Sequence, residues 1–356
     1  MHAQSVSEAG SLKAASTLMY QEAESAAAIV EAQLLHNEPI ISDIVVKLKQ
    51  LAPSAIVTCA RGSSDHAATY AKYLFESQLG ILTSSASPSI SSVYNCEQQL
   101  NRVLYIAISQ SGASPDLLSN VDKAKANGAT VLALVNVEDS PLVERADFFI
   151  PLKAGTEKSV AATKSYIATL SALLQLCTIW NNDSVLHRQL QQLPDLLKRA
   201  FQLDWRYAES ALLSAQNMFV IGRGFGFGIA QEAALKFKET TGIHAEAFSA
   251  AEVKHGPMAI VNENFPVLIF SQQDETQNAI NELADNFQQR GVQTLIAATG
   301  NLNSNDHYLP VINASHPAIE PLLLIQSFYK LVNGLAVARG YNPDEPPHLK
   351  KVTETL

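Results

Sequence analysis

Acidic, basic and imidazole side chains concentrate in one stretch of the sequence, residues 232–257, which reads EAALKFKETTGIHAEAFSAAEVKHGP. Glu239 stands at the predicted end of a helix, just before Thr240-Thr241-Gly242, and His255 precedes Gly256-Pro257. Carboxylates and imidazoles are the side chains that most often move protons in enzymes. Glu239 and His255 are therefore candidates for an acid–base pair. Each could also be structural, because spacing along the chain does not show that they converge.

Two lysines could add a positive charge or an amine to such a site. Lys236 lies three residues before Glu239, so on a helix the two side chains share a face. The alternative for this pair is an exposed salt bridge, which contributes little to stability. Lys351 lies near the C-terminus, where a frayed tail is the ordinary expectation. A tail folded over a site would instead bring an amine to a carbonyl carbon.

Small polar residues follow two apolar runs, and both loops could hold a phosphate. ISQSGAS, residues 108–114, follows the apolar run 103–107, and Arg61-Gly62-Ser63-Ser64 follows another. Ser114 and Pro115 suit the N-cap and the first position of a helix. A helix start offers unpaired N–H groups and partial positive charge to an anion. The alternative for each loop is a well-capped connection with no ligand.

Strand–loop–helix units alternate along the chain, which predicts an α/β fold with doubly wound parallel sheets flanked by helices. The second half repeats the first, because Arg61 and Arg223 are 162 positions apart, and so are Ser109 and Ser271. The predicted division is an N-terminal helical segment at 1–36, a first domain at 37–185, a second domain with a linking helix at 186–339 and a tail at 340–356 over the active site.

The apolar patterns also predict individual elements. Strands are predicted at 55–59, 103–109, 130–135, 147–152, 218–221, 266–270 and 294–298. Helices are predicted at 12–35, 40–51, 65–78, 115–127, 160–180 and 229–240.

Composition and charge narrow the classes of function. The chain has 356 residues, of which 47% are hydrophobic, so a large core is available, and its net charge of −9 disfavours nucleic acid. The apolar stretch 160–180 is interrupted by polar residues, which favours a core helix and no membrane contact. Three scattered cysteines and the absence of a secretory signal predict a cytoplasmic protein. The glycine spacing of GRGFGFG, residues 222–228, does not fit a dinucleotide fingerprint, and no Walker loop is present.

Six short motifs resemble the sugar isomerase (SIS) family. Within it, the similarity is to the isomerase half of glucosamine-6-phosphate synthase and to the stand-alone SIS-type glucosamine-6-phosphate deaminases. The motifs are SQSG (109–112), AGTE (154–157), ALKFKE (234–239), IHAEAF (243–248), EVKHGP (252–257) and HLKKVT (348–353). The resemblance extends over residues 18–356. It implies two tandem SIS domains, a homodimer with sites between subunits, and neither a metal nor a cofactor.

The resemblance also implies roles for individual residues. Glu239 would move a proton between carbons, His255 of the neighbouring subunit would open the sugar ring, and Lys351 would form a Schiff base with a ketose. The implied substrate-binding residues are Ser64, Ser109, Gln110, Ser111, Ser114, Val160 and Lys236. This sequence departs from the synthase at Ala162, where the synthase has a sugar-contacting serine, and at Arg61, where it has cysteine. One residue is also deleted just after Lys351.

The glutaminase half of the synthase has no counterpart in this sequence. We therefore expect the isomerase chemistry to use water, so that glucosamine 6-phosphate gives fructose 6-phosphate and ammonia. Three other activities remain open: a fructosamine-6-phosphate deglycase, a galactosamine-6-phosphate deaminase and an aldose–ketose phosphosugar isomerase. A non-catalytic sugar phosphate sensor is a further alternative, for which we would expect a basic DNA-binding segment that this sequence lacks.

Overall fold

The computed structural model describes residues 13–94, 96–299 and 307–351. The first 12 residues of the predicted N-terminal segment and residues 352–356 of the predicted tail, with the last two residues of HLKKVT, lie outside the described residues.

Two five-stranded parallel sheets form the framework of the described chain. The first contains β1 (Ala55–Cys59), β2 (Thr83–Ser85), β3 (Val103–Ser109), β4 (Thr130–Val135) and β5 (Phe148–Pro151), in the order β2-β1-β3-β4-β5. The second contains β6 (Asn217–Gly222), β7 (His244–Ser249), β8 (Val267–Ser271), β9 (Thr294–Ala298) and β10 (Tyr308–Leu309), in the order β10-β9-β8-β6-β7. When the strands of each sheet are numbered from one in chain order, both sheets have the order 2-1-3-4-5, as a duplication requires. The predicted α/β fold with two doubly wound parallel sheets is confirmed.

Helices cover both faces of the sheets. In chain order, α1 to α13 are Leu18–Glu24, Ala26–Leu51, Ser63–Leu79, Pro88–Ser92, Pro115–Ala126, Pro141–Arg145, Lys164–Trp180, Ser184–Leu190, Leu193–Gln202, Arg206–Leu212, Gly226–Lys236, Gln277–Gln289 and Glu320–Ala338. Short 3₁₀ turns occupy Ala14–Ser16, Glu252–His255 and Pro257–Ile260, and a π-helical turn occupies Phe237–Thr241. Because helices cover them, β3 and β8 are buried along their whole lengths.

Helix α2 differs from the sequence-based prediction of separate helices at 12–35 and 40–51. It runs without a break from Ala26 to Leu51, through Pro39 and across the predicted boundary between residues 36 and 37. Proline inside a helix costs a hydrogen bond. Here tertiary contacts outweigh that cost, because the buried amides of Gln33 and Asn37 donate to backbone carbonyls near β5.

Two apolar helices form the centre of the protein. Helix α7 is buried along almost its whole length, as expected for the predicted core helix at 160–180, although it begins at Lys164. Helix α13 is long and apolar enough to cross a membrane, but 83% of that apolar window is buried inside the protein. Among the described residues, no other helix meets that test.

The two halves meet where α3 of the first packs on α11 of the second. Gly228 allows this close approach, since a Cβ there would lie 2.7 Å from the carbonyl oxygen of His66 and 2.9 Å from the nitrogen of Tyr70. The contact brings the start of α3, which follows β1, next to the charged face of α11.

Candidate active site

A cleft of about 360 Å³ opens at the carboxyl ends of β1 and β3. In this strand order β2 is added on one side of β1, and β3 and the later strands on the other side, so the strand order reverses between β1 and β3. Such switch points are where doubly wound sheets bind ligands. The cleft is lined by seven of the predicted site residues: Ser64, Ser109, Gln110, Ser111, Ser114, Val160 and Lys351. Arg61, Ser63, Asp116 and Ala162 also border it.

The loop after β3 is hydrogen-bonded to the serine that ends this strand. Ser109 Oγ accepts a hydrogen bond from the backbone N–H of Gly112 at 3.0 Å. Ser114 occupies the N-cap position of α5 and Pro115 the first helical position, as predicted, but the Ser114 hydroxyl makes no capping hydrogen bond. That hydroxyl is therefore not used by the helix. A loop of this kind suits a phosphate, which accepts hydrogen bonds from hydroxyls and from N–H groups.

Replacing Gly112 by alanine is expected to weaken binding of fructose 6-phosphate about tenfold or more, because the substitution would strain the loop by about 1–3 kcal/mol. Gly112 has φ +63°, and an added Cβ would lie 2.8 Å from Val135 Cγ2 and also meet Ser140 Oγ. The loop must then shift. Calorimetric titration gives the affinity, and Gly80→Ala is the control, since Gly80 has φ +67° with nothing near its Cβ. Equal affinities in both variants would show that the loop does not hold the phosphate.

A buried network of charges adjoins the cleft. Lys236 Nζ lies 2.7 Å from Glu239 Oε2 and 3.3 Å from Glu232 Oε1, and it donates to Ser63 Oγ at 3.1 Å. The Lys236 side chain is 1% exposed and that of Glu239 18%, so this pair is not an exposed salt bridge. Burial alone would lower the pKa of Lys236, but the two carboxylates outweigh it and hold that pKa above its ordinary value.

Glu232 organises this network, although it is not among the site residues predicted from the sequence. It is fully buried and accepts hydrogen bonds from Ser63 Oγ at 3.1 Å and Tyr329 Oη at 3.2 Å, with His66 Nδ1 at 2.9 Å. Burial by itself would raise the pKa of Glu232, but the Lys236 charge and these hydrogen bonds hold it below its ordinary range. The four-residue spacing of Glu232 and Lys236 was the available signal, because it puts both on one helix face.

Glu239 lies in the π-helical turn that ends α11, and such turns are frequent at functional sites. It does not line the serine cleft. It borders a second, more apolar cavity of about 460 Å³, together with tail residues including His348 and Leu349. Its connection to the cleft runs through Lys236 and Ser63.

The described part of the tail is bound to the protein at Lys351. Its Nζ donates to Glu157 Oε2 at 3.1 Å and to the carbonyl of Ser159 at 2.7 Å. Glu157 is buried and also accepts from Thr163 N, Ser165 N and Ser165 Oγ. Burial would raise the pKa of Glu157, but the Lys351 charge and these hydrogen bonds hold it below its ordinary value. Lys351 is therefore not on a frayed end, and Glu157 is a second residue that the sequence analysis did not single out.

His255 is not brought to these groups within one chain. It is exposed, at the end of the 3₁₀ turn Glu252–His255, and it borders neither cavity. Its supply by a neighbouring subunit stays a prediction.

At the equivalent switch point of the second sheet, the loop is hydrogen-bonded to the protein's own groups. Gln272 Nε2 donates to the carbonyl of Arg223 at 2.6 Å and to Asp274 Oδ2 at 2.9 Å. The N–H of Gln273 donates to Glu320 Oε2 at 2.6 Å. At the offset of 162 positions, Asp274 stands where the first half has Gly112, and a carboxylate at this point of the loop disfavours an anion.

Comparisons with known proteins agree with this fold. The SIS domain model matches residues 52–179 and 211–306. The candidate phosphosugar isomerase from Silicibacter pomeroyi DSS-3 superposes with a TM-score of 0.87 at 38% identity, covering 92% of this chain and 100% of that one. The glucosamine-6-phosphate deaminase of Thermotoga maritima has a TM-score of 0.75 at 21% identity, over 95% of this chain and 100% of that one, which is a likeness of fold.

Among curated relatives, the isomerizing glutamine–fructose-6-phosphate aminotransferase of Aeropyrum pernix is 35% identical over 311 residues, which cover 82% of this chain and 49% of that protein. The chain spans about half the length of the curated relatives it matches. The predicted resemblance is confirmed, and the chain belongs to the SIS domain family.

Proposed function

We propose that this protein is an amino-sugar phosphate deaminase that converts glucosamine 6-phosphate and water to fructose 6-phosphate and ammonia. The observation that supports it is the buried chain Glu232–Lys236–Glu239, which joins a partly exposed carboxylate to a serine-lined cleft through Ser63. A carboxylate can act as a general base and accept a proton from carbon.

In this mechanism the serine loop binds the phosphate and leaves the sugar carbons toward Val160 and Lys351. His255 of the neighbouring subunit of a homodimer opens the pyranose ring. Glu239 then takes the proton from C2 and returns it to C1, through an enolamine, to give a ketimine at C2. Water adds to C2, the C–N bond breaks, and the nitrogen leaves as ammonia while C2 becomes the ketone of fructose 6-phosphate.

The tail lysine has two possible roles in this scheme. It could exchange with ammonia as a transient imine at C2, or it could position the open chain as a cation. Its contacts with Glu157 and with the carbonyl of Ser159 support the second role, because they hold Nζ in a fixed position at the edge of the cleft.

A second candidate is an aldose–ketose phosphosugar isomerase, whose proton transfer uses the same carboxylate without loss of nitrogen. The name of the Silicibacter pomeroyi relative supports it. A fructosamine-6-phosphate deglycase would further require room at the amine for an amino-acid group.

The test is an ammonia-release assay on glucosamine, galactosamine and fructosyl-amine 6-phosphates, with glucose 6-phosphate isomerisation measured in parallel. Ammonia from glucosamine 6-phosphate, with equimolar fructose 6-phosphate, is the expected result. Turnover of glucose 6-phosphate without ammonia from any amine would replace the deaminase by the isomerase. Ammonia from the fructosyl-amine alone would identify a deglycase.

A further inference from the structure

Arg61 is a cation at the cleft that the protein itself only partly uses. It follows β1 directly, borders the cleft, and has 58% of its side chain exposed. Its Nε donates to Asp116 Oδ2 at 3.1 Å. Within residues 13–94, 96–299 and 307–351, this is the hydrogen bond that its side chain makes, so Nη1 and Nη2 keep donors for a ligand.

The partner of Arg61 sets the position of its guanidinium. Asp116 lies in the first turn of α5, its side chain is 3% exposed, and Oδ1 accepts from the N–H of Leu117 at 2.8 Å. A buried carboxylate held in this way has little freedom to move. It also places a negative charge at the helix start, where it would repel a phosphate if Arg61 did not stand beside it.

The other cations near the cleft are already bound. Lys351 donates to Glu157 and Ser159, and Lys236 is buried between Glu232 and Glu239. Without Arg61, serine hydroxyls and N–H groups alone would have to balance the charge of a phosphate. A guanidinium presents a planar pair of donors that matches two phosphate oxygens.

We propose that Arg61 recognises the phosphate of the substrate through Nη1 and Nη2, and that Asp116 is a positioning residue that holds the guanidinium at the start of α5. This rests on the proposed function only in taking a phosphorylated sugar as the ligand. Arg61 would then distinguish phosphorylated from unphosphorylated sugars.

The experiment measures binding rather than turnover. Inorganic phosphate and fructose 6-phosphate are titrated into wild type, Arg61→Ala, Asp116→Asn and the double variant by calorimetry. In Arg61→Ala, the affinity for both ligands is expected to fall about 30-fold, because a charge-assisted hydrogen bond is lost. The double variant should recover part of that loss, because Asp116 no longer repels the phosphate. The affinity of the wild type should also fall more steeply with salt than that of Arg61→Ala.

Arg145→Ala is the matched control, because Arg145 forms the same kind of Nε bond with exposed Asp122 and does not border the cleft. It should bind both ligands as the wild type does. Arg61→Lys keeps the positive charge and replaces Arg61→Ala if that variant does not fold. Its affinity for both ligands should fall about fivefold, because a single ammonium takes the place of the paired guanidinium donors.

Phosphate affinity in Arg61→Ala within threefold of the wild type, or the same loss in Arg145→Ala, would overturn the proposal. Failure of the proposed function looks different: the wild type would bind fructose 6-phosphate through Arg61 and still release no ammonia.

Discussion

Glu239→Gln should reduce ammonia release from glucosamine 6-phosphate by about 1,000-fold or more, the scale of a lost general base. Glutamine has the same size and its amide oxygen can still accept from Lys236, which now lies 2.7 Å from Glu239 Oε2. It cannot take the C2 proton. Binding of fructose 6-phosphate should therefore change by less than about threefold, because the phosphate loop is untouched.

Two measurements separate this loss from a general defect. Deuterium entry from heavy water into C1 of fructose 6-phosphate reports the proton transfer itself and should disappear with turnover. Glu144→Gln is the control, since Glu144 is an exposed residue on α6 that borders neither cavity. If Glu239→Gln kept its turnover, Glu239 would have to be removed from the mechanism.

Glu157→Gln should lower the free energy of unfolding at neutral pH by about 3 kcal/mol, because it leaves part of a buried, hydrogen-bonded ion pair unmatched. Lys351 Nζ and Ser165 Oγ both donate to Oε2, and the N–H groups of Thr163 and Ser165 both donate to Oε1, so the NH₂ of a glutamine amide would face two donors in either orientation. Lys351 should lose its ion pair with residue 157, so ammonia release should fall as well.

The contribution of Glu157 to the free energy of unfolding depends on pH. Its pKa is lowered in the folded protein, so the stabilisation is complete above the ordinary glutamate pKa and is lost as the pH falls through the lower folded value. The wild type should therefore lose stability in acid more steeply than Glu157→Gln. Urea unfolding at several pH values measures this.

Glu138→Gln is the matched control, since Glu138 pairs with Lys153 at 2.8 Å on the surface, where a salt bridge contributes about 0–1 kcal/mol. A loss in Glu157→Gln no greater than in this control would show that the buried pair does not stabilise the fold.

Buried strands could be predicted from the sequence, whereas edge strands, except β5, could not. The bounds of β3, β4 and β9 are those predicted, because both faces of these strands are covered and the apolar run ends where the strand ends. Strands β2, β7 and β10 were missed, and β10 has only two residues. The first is three residues with two exposed, and the second is a sheet edge whose His244 and Glu246 are exposed, so neither has an apolar run to mark it.

The loops of the site followed from local rules, whereas its charged contacts did not. Serines at strand ends and a helix start after Ser114 are readable from the chain because strand ends meet at one sheet edge. The bond from Lys351 to Glu157 joins residues 194 positions apart, and that from Ser63 to Glu232 joins residues 169 apart. Such pairs depend on how the two halves pack, which periodicity does not encode.

The hydrogen-bonded loops at the switch point of the second sheet imply, under the proposed function, different tasks for the two copies of the duplicated unit. In the loops of the second copy, the Gln272 amide and the Gln273 N–H donate to the protein's own oxygens, so these donors are not available to an anion. Its contribution is helix α11, which carries the ionisable side chains to the boundary with the first copy. Under the proposed function, descent from one ancestral unit would have ended in specialisation, with one copy holding the ligand's phosphate and the other bringing the groups that move protons.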